Sequence, residues 1–177
     1  MILLIFLDYV IRTVEENDIN SVYEMRKIIA KESDMILSSE EEVALDSIKT
    51  WVNNWKENDK RLFAVVEHKG EIVAQLWVWF MDNRKKLSHI AEFGMEILKE
   101  HRSKGLGKAL SKLALEWAVK NGAKRVQAET IERNVPMRKI LEGLGFELEG
   151  TLKCYLKNGN KYENVVLYGK CISNVDN

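Results

Sequence analysis

Two stretches of this sequence hold residue types and spacings that can do chemistry. The first is HRSKGLGKAL (101–110), in which Gly105 and Gly107 stand one residue apart, behind Arg102 and ahead of an amphipathic run. If a strand ends here and a helix begins, the first N–H groups of that helix have no intrahelical partner and carry partial positive charge, a setting that suits a phosphate. Gly105 and Gly107 permit positive φ and a close approach of the backbone to a ligand. Arg102, Lys104 and Lys108 add charge locally. A Walker A loop does not fit, because Arg102 occupies its first glycine position and Ala109 follows Lys108 where Ser or Thr is needed. A dinucleotide fingerprint does not fit either, since Leu110 stands where its third glycine belongs. The residues leave two readings, a phosphate cradle of another kind or a plain strand-to-helix turn with solvated lysines.

The second stretch is EFGMEIL (92–98). In a strand, Phe93, Met95 and Ile97 share one face, and Glu92, Gly94, Glu96 and Leu98 share the other. The apolar face should pack on helices. The other carries two carboxylates about 13 Å apart at a strand rise of ~3.3 Å per residue, and could line a cleft. Gly94 in mid-strand suggests a bulge or a close backbone approach, and a bulge would change the face Glu96 takes. Either carboxylate is equally readable as a solvated or salt-bridged strand residue. Cys154 and Cys171 have no histidine near them in sequence, and a hairpin turn would bring Cys154 near Val165 rather than Cys171, so no disulfide is expected. His68, His89 and His101 are too scattered for a metal site. Trp51, Trp55, Trp77 and Trp79 read as core or cleft wall.

The elements that would position these residues follow from periodicity. Tyr9 to Val14 read as a strand. Asp18 then caps a helix with the apolar stripe Ile19, Val22, Met25, Ile28 and Ile29. Ser39 and Glu42 form a capping-box pattern before a second helix with the stripe Val43, Ile48, Trp51, Val52 and Trp55. RLFAVVEH and EIVAQLWVWF flank Lys69-Gly70 as a β-hairpin. A strand from His89 to Leu98 leads into the glycine stretch. The helix after it shows Leu106, Leu110, Leu113, Ala114 and Trp117 on one face and ends at Asn121-Gly122. A strand from Lys124 to Ile131, a short helix opening near Asn134 with Pro136 in its first turn, and two strands (146–156 and 162–172) around Asn158-Gly159 complete the chain. Strands alternating with helices imply parallel pairing and the hairpins imply antiparallel pairing. The fold class expected is therefore α+β with a mixed sheet.

The bulk numbers narrow the classes of partner. The chain has 177 residues, suited to one domain with a sizeable core, and 46% of them are hydrophobic and 31% charged. Lys+Arg and Asp+Glu are 27 each, so no global basic excess argues for nucleic acid or an anionic membrane. An anion would have to be held by a local device. The start, MILLIFL, is too short for a membrane span and lacks the basic region of a signal peptide. It reads as an extra strand or a packed terminal arm. Two cysteines without CxxC point to free thiols and a cytoplasmic, reducing location.

Arg102-x-x-Gly105-x-Gly107, set between a strand and an amphipathic helix, resembles the acetyl-CoA signature of the GNAT (GCN5-related N-acetyltransferase) superfamily. Downstream, Asn134, Met137 and Gly-Leu-Gly-Phe (143–146) resemble that superfamily's second motif, a strand, an Asn, a short helix and a closing "GF". The AEFG (91–94) and ELEG (147–150) stretches look most like the branch that acetylates protein N-termini, amino acids or polyamines. The resemblance spans Tyr9 to about Ile172. It implies a single-domain acyl-CoA N-acyltransferase fold over 9–172, with a mixed, splayed sheet flanked by helices, an apolar arm or strand extension over 1–8, and a tail over 173–177.

The resemblance also implies roles. Backbone amides through Arg102, Ser103, Lys104, Gly105, Leu106, Gly107 and Lys108 would hold the pyrophosphate of acetyl-CoA. Ile97 and Leu98 would pair with the pantetheine arm, and Asn134 and Met137 would flank the cosubstrate, although Asn134 is also a plain helix N-cap. Glu92, with Glu96 second, would be the base that takes the proton of the amine. No metal is implied. Many members carry a tyrosine, the usual general acid, where this chain has Leu141, and a lysine where it has Gly143. Solvent or one of Tyr155, Tyr162 and Tyr168 would then protonate the thiolate. The expected reaction is direct transfer of an acetyl group to a primary amine on a small molecule or a protein N-terminus. The alternatives are a CoA-binding or regulatory module without turnover and an acetyltransferase for another acceptor, such as an antibiotic amine. A homodimer through the apolar N-terminal residues is a further expectation.

Overall fold

Runs of β-branched and aromatic residues build eight strands here, and the helices between them bury apolar stripes against the sheet. The structure is a computed structural model that describes residues 1–32, 43–56 and 58–172. Its strands are β1 (Ile2–Phe6), β2 (Tyr9–Thr13), β3 (Arg61–His68), β4 (Glu71–Phe80), β5 (Ile90–Ile97), β6 (Arg125–Ile131), β7 (Glu147–Asn158) and β8 (Lys161–Cys171). Its helices are α1 (Ile19–Glu32), α2 (Leu45–Lys56), α3 (Leu106–Lys120) and α4 (Val135–Gly143). One sheet runs in the order β1-β2-β3-β4-β5-β6-β8-β7. Among the described residues its only parallel pair is β5–β6, and the other six pairs are antiparallel.

Alternation along the strands divides the core in two. Leu62, Ala64, Val66, Leu76, Val78, Phe80 and Phe93 face α3 and α4 and pack with Leu106, Leu110, Ala114 and Leu141. Phe63 and Val65 face the other way, against Val22, Met25 and Ile29 of α1 and Ile48 and Val52 of α2. Two residues of the expected stripes, Ile28 and Trp51, sit at the margins and are exposed.

Several elements differ from the sequence reading. A short 3-10 turn (Glu16–Asp18) leads straight into α1, and its N-cap is Glu15, not Asp18. The Asp18 carboxylate accepts from Glu15 N–H (2.7 Å) and from both terminal nitrogens of Arg12 (2.7 and 2.8 Å). Arg12 lies on the neighbouring strand, a partner local sequence does not announce. The expected capping box at Ser39 and Glu42 lies outside the described residues. The β4–β5 register runs unbroken from Ala74↔Ile97 to Phe80↔Ala91, so Gly94 marks no bulge. The final hairpin turns on Gly159-Asn160, one residue later than expected, with Asn158 paired to Lys161. The N-terminal run forms β1, paired with β2 and leaving Ile2 and Ile5 exposed. No helix among the described residues is long and apolar enough to cross a membrane.

Candidate active site

The site begins where β5 and β6 part. Their parallel pairing covers only Ile90↔Arg125, Ala91↔Val126 and Glu92↔Gln127, and beyond Glu92 a gap opens. Leu98 N–H bonds to Val73 O (3.0 Å), and Met81 N–H bonds to Ile90 O (2.9 Å), so the even-numbered residues of β5 turn their backbone toward β4. In an antiparallel ladder the alternate residues turn the other way. Met95 and Ile97 therefore direct backbone groups into the gap, whereas the Leu98 amide is committed to β4. Of the two residues expected beside pantetheine, Ile97 is the one on the open edge. Its carbonyl accepts from Arg102 Nε (2.8 Å).

From Ile97 the chain passes through a short 3-10 turn (Lys99–His101) into the glycine turn. Ser103 and Gly105 both take positive φ, 59° and 85°. Gly105 occupies the N-cap of α3 and brings no side chain to cap it. Ala109 N–H bonds to Gly105 O (3.1 Å), and the amides of Leu106, Gly107 and Lys108 lie ahead of it at the start of the helix. Leu106 is buried in the core, so at this mouth it offers only its amide. A Cβ on Gly107 would lie 3.3 Å from Ile140 Cδ1 and 3.7 Å from Ile97 Cδ1, which shows how tightly α3 approaches α4 and β5 here. Arg102 is half-buried, while Ser103, Lys104 and Lys108 are exposed. The Arg102 amide is already bonded to Lys99 O (3.2 Å). Amides, backbone curvature and flanking cations at this mouth fit an anionic diphosphate. Across the gap, Asn134 caps α4 by accepting from Met137 N–H (3.3 Å) and donates to Thr130 Oγ1 (3.2 Å).

The two strand carboxylates have different surroundings. Glu92 is half-buried at the parting point and accepts from Gln127 Nε2 (3.2 Å). Burial pushes its pKa above the usual carboxylate range; the Gln127 bond opposes this and the charge of Glu129 adds to it. Glu129 lies two residues along β6 on the same face as Gln127, and burial raises it too. Glu96 lies beneath α1, 8% exposed, accepting from Gln75 Nε2 (2.5 Å) and 3.3 Å from Arg26 Nε. Arg26 is itself buried, with its guanidinium 4.8 Å from the Trp51 ring and 5.8 Å from Trp77. Burial raises Glu96, and Arg26 and Gln75 pull it back. The expectation that both carboxylates line a cleft is thus corrected for Glu96, which is enclosed in an ion pair.

The proton-donor candidates separate as well. Leu141 is fully buried and apolar. Tyr168 is buried, its O–H donating to Glu142 Oε1 (2.7 Å) and accepting from Arg138 Nε (3.2 Å). Tyr155 and Tyr162 are exposed on the last hairpin. Cys154 and Cys171 are free and exposed. Among the described residues no group of three His, Cys, Asp or Glu is placed to hold a metal. Gln127, Glu129, Arg26 and Gln75 were not singled out from sequence. Gln127 and Glu129 share the strand parity of a cleft face, but only the β5–β6 register brings them to Glu92.

A mixed sheet whose single parallel pair splays beside a glycine turn and an uncapped helix defines a known architecture. The chain belongs to the acetyltransferase (GNAT) family, whose model matches residues 22–146, more than half of its length. It is 30% identical over 105 residues to the L-amino acid N-acetyltransferase AaaT of Escherichia coli (strain K12), an alignment covering 56% of this chain and 61% of that one. The chain thus spans under two thirds of the length of this curated relative. Among solved structures, the acetyltransferase of the GNAT family from Streptococcus pneumoniae matches with a TM-score of 0.85 at 24% identity, covering 93% of this chain and 99% of that one. The structure of yncA from Salmonella typhimurium with its cofactor acetyl-CoA matches at 0.84 and 15% identity, covering 96% and 97%. At these identities the solved structures show the fold.

Proposed function

We propose that this protein is an N-acetyltransferase that moves the acetyl group of acetyl-CoA directly onto a primary amine, of a small molecule or a protein N-terminus. One observation carries the reading: β5 parts from β6 at the half-buried carboxylate of Glu92, and its unpaired edge runs on toward the uncapped mouth of α3. The amides from Ser103 to Lys108, with Arg102 fixing the turn, receive the diphosphate. The open backbone edge at Met95 and Ile97 takes the pantetheine arm in the manner of an added strand, and Asn134 and Met137 border it from α4. This runs the thioester back toward Glu92.

An alkyl ammonium has a pKa near that of lysine, ~10.4, so the acceptor arrives protonated. Glu92 takes that proton, directly or through water. The freed nitrogen attacks the thioester carbonyl, the C–N bond forms, the C–S bond breaks, the thiolate departs, and the nitrogen gives its second proton to solvent to leave the neutral amide. A thiol resembling cysteine, at ~8.5, leaves without a dedicated acid, so proton return from solvent replaces the tyrosine that Leu141 supplants. Glu96, locked to Arg26 and Gln75, is a framework group rather than a second base. The relative from Escherichia coli is an L-amino acid N-acetyltransferase, which makes an amino acid amine the first acceptor to try. Free, exposed Cys154 and Cys171 suit a reducing compartment such as the cytoplasm.

The test follows thiol release from acetyl-CoA over a panel of amino acids, monoamines, diamines and N-terminal peptides. At least one amine is expected to drive release well above hydrolysis. Uptake of acetyl-CoA with no release on any amine would favour a binding module instead. Gly107→Trp should abolish coenzyme A uptake in calorimetry, with a melting curve confirming that the variant is folded. Unimpaired uptake by the folded variant would remove the helix mouth from the site.

A further inference from the structure

The N-terminal hairpin reaches the glycine turn from the far side of the gap. A Cβ on Gly105 would lie 3.2 Å from Phe6 Cζ and 3.8 Å from Phe6 Cε1, so the end of β1 presses its ring onto the residue that opens α3. Phe6 is stacked on Tyr9 across the hairpin, with centroids 6.5 Å apart and planes 22° from parallel. Tyr9 is 2% exposed, and its hydroxyl lies 3.1 Å from His101 Nδ1. His68 closes the cluster, 4.8 Å from the Tyr9 ring and 5.2 Å from the His101 ring. Burial, with the charges of Lys104 and His68, lowers the His101 pKa, which favours the neutral ring that can accept the Tyr9 proton.

We infer that Phe6, backed by Tyr9, is a positioning residue for the diphosphate: the β1–β2 hairpin holds the 101–105 turn at both ends and so sets where its amides point. The inference rests on the acetyl-CoA reading. The physical need is plain. Gly105 and Ser103 hold left-handed backbone conformations, and Gly105 has no side chain to fix its own turn. Arg102 Nε on Ile97 O pins the middle of the segment. Beyond the backbone bonds of His101 N–H to Leu98 O (2.9 Å) and Ala109 N–H to Gly105 O (3.1 Å), its ends are held from the N-terminal hairpin by Tyr9–His101 and Phe6–Gly105. Exposed Leu7 beside Phe6 plays no part in these contacts.

Coenzyme A and S-acetylpantetheine, which lacks the diphosphate and the nucleoside, are titrated into parent and Phe6→Ala by calorimetry. A displacement of the turn by a fraction of an ångström should weaken coenzyme A about ten-fold and leave S-acetylpantetheine unchanged. Phe6→Leu, which keeps bulk over Gly105, should recover most of the loss. Unchanged affinity for coenzyme A in Phe6→Ala overturns the inference. So does an equal loss for both ligands, the mark of a general structural role. Should Phe6→Ala not fold, Tyr9→Phe decides: removing only the hydroxyl held at His101 is expected to cost coenzyme A about three-fold and S-acetylpantetheine nothing, and no selective loss overturns the inference. A parent protein that takes up no coenzyme A defeats the acetyl-CoA reading itself. A parent that binds it as well as Phe6→Ala does defeats only the role of Phe6.

Discussion

Glu92 and Glu96 share one strand and one face, yet one stands at the mouth of a cleft and the other inside a core. Glu92 lies at the last paired rung of β5 and β6, held by one amide donor and facing Glu129 across the opening. Glu96 lies two rungs of the same parity further on, under α1, between Gln75 and a buried Arg26 that leans on Trp51 and Trp77. Burial pushes both carboxyls up. Among the described residues, only Glu96 has a cation close enough to form an ion pair, Arg26. A group kept charged by a fixed partner is poor at exchanging protons, whereas one that is desolvated and loosely held can give and take them. The same residue type thus serves two purposes through what covers it.

The largest effect should come from neutralising the loosely held carboxylate. Glu92→Gln is expected to lower turnover roughly 100- to 10,000-fold while leaving coenzyme A affinity intact. The deficit should be greatest at low pH and shrink as the free amine fraction grows toward ~10.4. Stability should move the opposite way. A carboxyl whose folded pKa is raised contributes stability present below its unfolded value of about 4.5, and that contribution is lost as pH rises through the folded value. Removing the charge should therefore leave the variant as stable as the parent at pH 4 and slightly more stable at pH 8. A turnover profile identical to the parent from pH 6 to 9 would end the contrast, since Glu92 would then be as inert as Glu96.

Arg26→Met tests the other half. Stranding Glu96 in the core should cost about 3 kcal/mol, the usual result of removing one partner of a buried pair. Without the cation, burial acts unopposed on Glu96 except for Gln75. Its pKa rises further, and by the same sign rule the loss should be mild near pH 5 and deepen toward pH 8. Adding Glu96→Met to Arg26→Met should restore much of the loss, because two apolar groups replace a pair that is costly to bury. A double variant no better than the single one would mean that Arg26 acts through the tryptophans and not through Glu96.

Much of this geometry is legible in the chain. The Lys69-Gly70 hairpin, the α3 stripe and the placement of Glu92 and Glu96 on one face follow from periods of 2 and 3.6 and from turn chemistry. The glycine turn is legible because Gly105 must supply a positive φ. What local sequence does not carry is pairing across distance. Asp18 looks like a helix cap until Arg12 on β2 claims it, and a capping residue and an ion-pair partner are the same letter. The enclosure of Glu96 depends on α1 crossing β5 at Arg26, seventy residues upstream in the sequence. The partners Gln127 and Glu129 depend on a parallel register set by α3, and Phe6 meets Gly105 only because β1 adds to the edge of the sheet.

The smallest expected effect is at the residue between the two glutamates. Gly94 pairs with Trp77, and a Cβ there would meet Trp77 Cε3 at 3.5 Å and Cζ3 at 3.8 Å, ordinary van der Waals distances. Its backbone is not in the left-handed region, so Gly94→Ala meets no strain and should change stability by no more than about 0.5 kcal/mol. The added methyl nevertheless stands on the face shared by Glu92 and Glu96, over the floor where β5 and β6 separate. If the acceptor amine approaches Glu92 across that floor, its KM should rise about ten-fold, the lower end of what one methylene is worth in a fitted pocket. The KM for acetyl-CoA should stay fixed, because the pantetheine edge lies along the odd-numbered backbone. An equal rise for both substrates would place the acceptor elsewhere and make the Glu92 end of the gap a passage for the cosubstrate alone.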